Sequence, residues 1–199
     1  MQNYKQTTKF TGLSSALMLV LNHYNNGFKV NRENEFKVWR DIVLLPTRGA
    51  CIFMTALMAH NSNIPCKAIV EDPKYKLPRI YKFKLFTKKE IYDTKFFSDL
   101  NFEEAKKKNL VEIRDFNFDE VKEALKKNKI ALLRVNLGPL LHVRSIPDYI
   151  LLHGYGNNLF LWNNTISGQT IRINEKLLKE AFLQVKKKCK RDNRIIIFG

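Results

Sequence analysis

The chain has 199 residues, 45% hydrophobic and 12% aromatic, which is enough apolar surface for a sizeable core and argues against disorder. Its polar start, short apolar runs and three scattered cysteines predict no signal peptide, membrane span, disulfide framework, cofactor or metal site, so we expect a cytoplasmic protein. The 35 basic residues exceed the 19 acidic ones, a formal net charge of +16 that allows a polyanion or acidic partner, or simply a solvated lysine-rich surface.

The first half of the chain is predicted to be mainly helical. Apolar residues at helical spacing predict a helix over residues 11–24, with Thr11 at its N-cap position and Asn26-Gly27 at its end. Further elements are predicted from patterning: a helix over residues 50–61, a strand over 65–71, an alternating strand over 80–86 and charged helical pieces over 88–110.

The second half is predicted to be rich in strands. An amphipathic helix over residues 118–127 opens it, with acidic residues first and lysines last, as the helix dipole favours. Asn174 is the predicted N-cap of a later helix that runs to about residue 188. Strands are predicted over residues 129–135, 148–153, 158–162, 170–173 and 194–198. Helices followed by a mostly antiparallel sheet indicate one α+β domain over residues 1–199.

Four blocks of sequence follow one another at consistent spacing. They read QTTKFTGLSSALMLVL from Gln6, RGACIFMTALMAHNSNIPCKAIV from Arg48, FDEVKEALKKNKIALLRVN from Phe118 and DYILLHGYGNNLFLWNN from Asp148. In this order they resemble the bacteriocin-processing cysteine peptidases, a papain-like family. The resemblance implies a papain-like α+β fold, with an N-terminal central helix packed on a twisted, mostly antiparallel sheet.

The resemblance also assigns catalytic positions to this chain. Gln6 matches the glutamine of the oxyanion hole, and Thr11 matches the threonine before the nucleophile. The nucleophile position is Gly12, the histidine position is Asp148 and the orienting aspartate position is Asn163. Glycine cannot attack a carbonyl, and aspartate is a poor base at neutral pH unless burial raises its pKa. We therefore expect no catalytic residue among these five, which would line a former active-site cleft.

Three hypotheses about function stay open. The first is an inactive homologue that binds an extended peptide or protein segment in this cleft, which an uncharged groove past Gly12 would favour. The second is an enzyme of altered chemistry, for acyl transfer or amide hydrolysis, with a hydroxyl of Thr11, Ser14 or Ser15 as nucleophile. The third is a nucleic-acid or acidic-partner binder that uses basic stretches such as residues 186–191. The oligomeric state is not predicted.

Cys51 offers an alternative nucleophile if a histidine lies beside it. In the family pattern, however, Cys51 begins a different helix away from the cleft, so we expect a buried structural thiol. His153 has odd parity relative to Asp148 in the predicted strand and faces the other side of the sheet. It is therefore not expected to replace the missing histidine.

Overall fold

A computed structural model describes residues 1–76 and 86–199. The helices of this part are α1 (Gly12–Tyr24), α2 (Arg32–Ile42), α3 (Ile52–Asn61), α4 (Lys88–Lys107), α5 (Phe118–Lys126), α6 (Leu137–Leu141) and α7 (Glu175–Lys187). Its strands are β1 (Val43–Leu44), β2 (Gly49–Ala50), β3 (Cys66–Val70), β4 (Val111–Ile113), β5 (Ile130–Asn136), β6 (Pro147–Gly156), β7 (Leu159–Asn164), β8 (Gln169–Asn174) and β9 (Arg194–Phe198). The predicted α+β class is confirmed.

Seven of these strands form one sheet in the order β4-β3-β9-β5-β6-β7-β8. Neighbouring strands run antiparallel except for β3 and β4, which are parallel. The last strand of the chain, β9, lies between β3 and β5, near the middle of the sheet. Strands β1 and β2 form a separate short antiparallel pair. The sheet is therefore mostly antiparallel, as predicted.

Helix α1 packs against one face of this sheet and is buried on nearly all sides. Leu17, Met18 and Leu19 are all 0% exposed, and they belong to a cluster that includes α3 and the sheet residues Leu132 and Leu151. A helix that is hydrophobic all round belongs in a core. Helices α5 and α7 supply a second cluster on the opposite face of the sheet. The central helix implied by the resemblance is therefore α1.

Two elements differ from the sequence-based prediction. Residues 88–110 were expected to be helical in pieces, but α4 is one helix of 20 residues, because no Gly or Pro interrupts it after the capping box of Thr87 and Glu90 at its start. Helix α2 was not predicted at all, since Glu35 occupies a buried position and hides the apolar period. The strand predicted over residues 80–86 lies outside the described residues, apart from Phe86. Within residues 1–76 and 86–199, no helix is both long and apolar enough to cross a membrane.

Candidate functional site

Most of the residues predicted to line the former cleft meet at one end of α1. Gly12 is the first residue of α1, and Asp148 and Asn163 lie on the paired strands β6 and β7. A cavity of about 10 Å³, the small cavity, is lined by these three residues together with Gln6. Thr11 is fully buried and does not line it. The structure thus brings four of the five residues together, around a space too small for a ligand.

The side chain of Gln6 lies against the start of α1. Its Oε1 is 3.2 Å from the point that a β-carbon would occupy on Gly12, and it accepts a hydrogen bond of 2.9 Å from the Thr165 hydroxyl. Its Nε2 donates to the carbonyl of Thr8 at 2.9 Å. An oxyanion hole needs a donor aimed at the reacting oxygen. Here the Gln6 Nε2 donor is already bonded to the Thr8 carbonyl, so it is not available to bind a reacting oxygen.

Among the described residues, the hydrogen-bond partners of the Asp148 and Asn163 side chains include no group that could relay a proton. The Asp148 carboxylate accepts the backbone N–H of Tyr149 at 2.8 Å, and burial raises its pKa although the charge of Arg134 opposes this. Asn163 donates to the carbonyl of Gln2 at 2.8 Å, while its Oδ1 has no hydrogen-bond partner among the described residues. The four histidines of the chain all lie in the described part, and none lines this cavity. The site therefore lacks an imidazole base.

The three hydroxyls proposed as alternative nucleophiles are buried and already hydrogen-bonded. Thr11 is at the N-cap position, as predicted, but its hydroxyl donates to the Thr8 carbonyl at 3.0 Å and makes no capping bond. Ser14 donates to the backbone carbonyl of Thr11 at 2.8 Å. Ser15 donates to Glu35 at 2.9 Å. None of the three lines a cavity with Asp148.

Glu35 holds the N-terminal segment that carries Gln6. Its carboxylate is 0% exposed and accepts hydrogen bonds from the Tyr4 hydroxyl at 2.8 Å and the Thr7 backbone N–H at 2.9 Å, besides those from the Thr7 hydroxyl and Ser15. Burial alone raises the pKa of Glu35, but hydrogen bonds from Thr7 and Tyr4 bring it below its ordinary value. This carboxylate ties the segment to both α1 and α2.

A larger cavity, of about 330 Å³, shares Gly12 and Asp148 with the small one. Cys51 lies in its wall, so the expectation that Cys51 lies away from the cleft is wrong, because α3 begins at this cavity. Burial raises the pKa of the Cys51 thiol, which is 3% exposed. None of the histidines of the chain lines this cavity either. Cys51 is therefore a buried thiol without an imidazole beside it.

The larger cavity, called the arginine cavity below, is strongly basic. Its acidic lining residues are Asp148 and Asp192. Its basic lining residues are Lys9, Arg48, Lys76, Arg134, Arg191 and Arg194. Beside Gly12 the described residues therefore form a charged cavity, and not the uncharged groove that would have favoured the first hypothesis.

The arginines of this cavity were not recognised in the sequence. Arg134 and Arg194 share the buried carboxylate of Asp192, with nitrogen–oxygen distances of 3.2 Å and 2.5 Å. Two signals were present in the sequence: Arg134 interrupts the apolar strand IALLRVN, and the run RDNR precedes the apolar strand β9. The segments are far apart in the chain, so neither signal alone indicates a shared site.

Tyr149 is a further residue that the sequence did not single out. The Arg134 guanidinium lies over its ring, 5.1 Å from the centroid, and the ring packs in the cluster of α1 together with Leu151. Ile150 packs in the cluster on the opposite face. Because side chains alternate along a strand, Asp148 shares the face of Ile150 in a regular strand, and Tyr149 is the residue that faces α1.

A model described as the Peptidase_C39 like family matches residues 1–187, a span that includes every residue lining the small cavity. A comparison with curated proteins gives no match. Since the family match covers nearly the whole chain, the chain belongs to the Peptidase_C39 like family.

Proposed function

We propose that this chain is a catalytically inactive member of its family, which binds an extended peptide or a flexible protein segment in the cleft beside Gly12. The contact between Gln6 and Gly12 supports this most directly. At the nucleophile position there is no side chain, and the Gln6 carbonyl oxygen lies 3.2 Å from where its β-carbon would stand. Glycine carries no attacking atom, and a β-carbon at this position would require Gln6 to shift by a few tenths of an ångström.

The groups around the contact support inactivity as well. Amide cleavage by the papain mechanism needs a thiolate, a base that titrates near neutral pH and a free oxyanion donor. Cys51 is a buried thiol with a raised pKa, the histidines line neither cavity, and the Gln6 donor is bonded to Thr8. All three requirements are therefore unmet at this site.

The arginine cavity supports binding. Its volume of about 330 Å³ lies within the range of ligand pockets, roughly 300–1,000 Å³. Phe10, Leu13 and Leu44 add apolar surface to its wall, and Phe10 is 41% exposed. An extended chain can combine such pockets for its side chains with hydrogen bonds to its backbone.

The test is a selection from a randomised dodecapeptide display library on the immobilised protein, followed by affinity measurements on synthetic copies of the enriched peptides. Gly49 lines the cavity, and a β-carbon there meets Tyr75 at an ordinary 3.6 Å, so Gly49→Phe is the variant chosen to add bulk at the cavity wall. Gly156→Phe is the matched control, since a β-carbon at Gly156 meets nothing within 4 Å and the residue is outside both cavities.

We expect enriched peptides that bind the wild type and Gly156→Phe equally and that lose binding to Gly49→Phe. Thermal unfolding of both variants would establish that they fold. A selection that enriches no peptide, or peptides whose binding is the same in Gly49→Phe, would contradict the proposal.

A further inference from the structure

We propose that the peptide bound beside Gly12 presents a carboxylate to the arginines of the arginine cavity. This inference rests on the proposed function and names the chemical class of the ligand. A carboxylate can come from the C-terminus of a peptide or from an Asp or Glu side chain, and the two sources share the chemistry that the cavity recognises.

The first observation is the concentration of arginine. Among residues 1–76 and 86–199, four of the nine arginines line this one cavity, but only two of the 23 lysines do. The guanidinium group is a rigid fork of donors that matches the two oxygens of a carboxylate, whereas lysine is a hydrated point charge. We therefore assign the charge of the surface to the abundant lysines and the carboxylate-binding site to the arginines.

The second observation is an imbalance of charge. Asp192 already serves both Arg134 and Arg194. The half-buried Arg191 guanidinium donates to the carbonyl of Lys76, and neither Arg191 nor the exposed Arg48 forms an ion pair within residues 1–76 and 86–199. Burial and the charge of Arg134 lower the pKa of Arg191. Because a partly buried cation without a counter-charge is unfavourable, an anionic ligand would be stabilised here.

The third observation is that two helices begin at the cavity without side-chain caps. Gly12 at the start of α1 and Cys51 before α3 both line it, and neither helix has a capping hydrogen bond from its N-cap side chain or an acidic residue in its first turn. The remaining described helices are all capped by an Asn or Thr side chain. The N–H groups at a helix start carry partial positive charge and favour an anion, although those of Phe53 and Met54 at α3 already point at the Cys51 thiol.

These features favour a single acidic group over a nucleic acid. Nucleic-acid binding uses a track of cations that follows the phosphate backbone. Here the arginines and both helix starts converge on one cavity of about 330 Å³. The geometry suits one carboxylate at the end or along the side of a bound peptide.

The experiment compares matched forms of one peptide enriched by the selection above. The forms carry a free C-terminus or an amide, each with acidic side chains intact or changed to Asn and Gln. We expect removal of the decisive carboxylate to weaken binding about ten- to a hundred-fold, the usual effect of losing a hydrogen-bonded charge. Which change has this effect identifies the source of the carboxylate.

Two variants test whether the carboxylate binds in the arginine cavity. Arg191→Gln and Arg48→Gln should weaken the acidic peptide and abolish its advantage over the neutral form, while Arg172→Gln, an exposed arginine on β8 outside the cavity, should change neither. If a variant fails to fold, the comparison of peptide forms on the wild type still decides the question.

Equal binding of all peptide forms to the wild type would overturn the carboxylate inference and leave the proposed function intact. Failure to enrich any peptide would overturn both. Displacement of the peptide by single-stranded RNA near physiological salt, with a steep dependence on salt concentration, would overturn the inference in favour of a nucleic acid.

Discussion

The Oε1 atom of Gln6 lies 3.2 Å from the point where Gly12 would carry a β-carbon. Real β-carbons seldom have so close a neighbour, so a side chain at position 12 requires Gln6 to shift by a few tenths of an ångström. Gln6 resists such a shift because its amide is bonded to Thr8 and Thr165. The position of the Gln6 side chain therefore depends on the absence of a β-carbon at Gly12, and the coupling free energy between the two positions can be measured.

We predict that Gly12→Ala and Gln6→Ala are coupled. Gly12→Ala should destabilise the wild type by about 0.5–1 kcal/mol but should be neutral or stabilising in Gln6→Ala, where the better helix propensity of alanine remains and the clash is gone. Urea unfolding of the wild type, both single variants and the double variant measures the coupling. If the effects of the two substitutions on the free energy of unfolding are additive, the side chains at positions 6 and 12 do not interact in this way.

Restoring the family's catalytic residue types should not restore peptidase activity. Gly12→Cys introduces a thiol at the start of α1, but Gln6 crowds it, and in a regular strand position 148 lies on the face opposite to Tyr149, which packs in the cluster of α1. We expect no cleavage of generic or double-glycine leader peptides by Gly12→Cys or by Gly12→Cys combined with Asp148→His. Alkylator-sensitive cleavage by the double variant, absent from Gly12→Ala, would show that the site is closer to competence than the geometry indicates.

Glu35 should control stability at acid pH. Because hydrogen bonds hold its pKa below the ordinary 4.5 in the folded chain, its carboxylate stabilises the fold at pH values above 4.5, and this contribution is lost as the pH falls through the lowered pKa. Glu35→Gln should cost about 2–3 kcal/mol at neutral pH, since Tyr4, Thr7 and Ser15 lose a charged acceptor.

Urea unfolding of the wild type and Glu35→Gln, at steps from neutral pH down through the lowered pKa, measures this contribution. The difference in stability between the two proteins should shrink as the pH falls. Glu33→Gln is the matched control, because Glu33 lies on the same helix with an exposed side chain. A difference that stays constant with pH would assign the effect to packing and not to the charge.

The basic stretch at the end of α7 should have no role in binding nucleic acid. Lys186 pairs with the largely buried carboxylate of Glu71 at 2.7 Å, so it contributes to the fold. Lys187, Lys188 and Lys190 are exposed near a helix end, where cations are favourable without a ligand.

Changing Lys187, Lys188 and Lys190 together to Ser should leave both stability and the binding of RNA and duplex DNA unchanged at physiological salt. Lys186→Ser should cost about 1 kcal/mol of stability. A salt titration of nucleic-acid binding by each protein makes the comparison. Tight binding that collapses in the triple variant would make nucleic acid the leading partner.

The sequence was informative where the signal is local. The apolar period of α1 and the spacing from Gln6 to Gly12 lie within one short block, and the structure places both residues at one small cavity. The arginine cavity is different, because Arg48, Arg134 and Arg191 come from three distant segments that only the finished sheet brings together. Helix α2 was missed because its buried Glu35 is stabilised by donors outside the helix, which no helical period can reveal.

Native mass spectrometry of the protein with an enriched peptide tests the central claim most directly, because one spectrum reports both binding and cleavage. We predict a complex whose mass is that of the protein plus one intact peptide, unchanged after prolonged incubation and identical for Cys51→Ala. Peptide fragments that appear with time, are suppressed by a thiol alkylator and are absent with Cys51→Ala would contradict it, since the arginine cavity would then hold an active thiol.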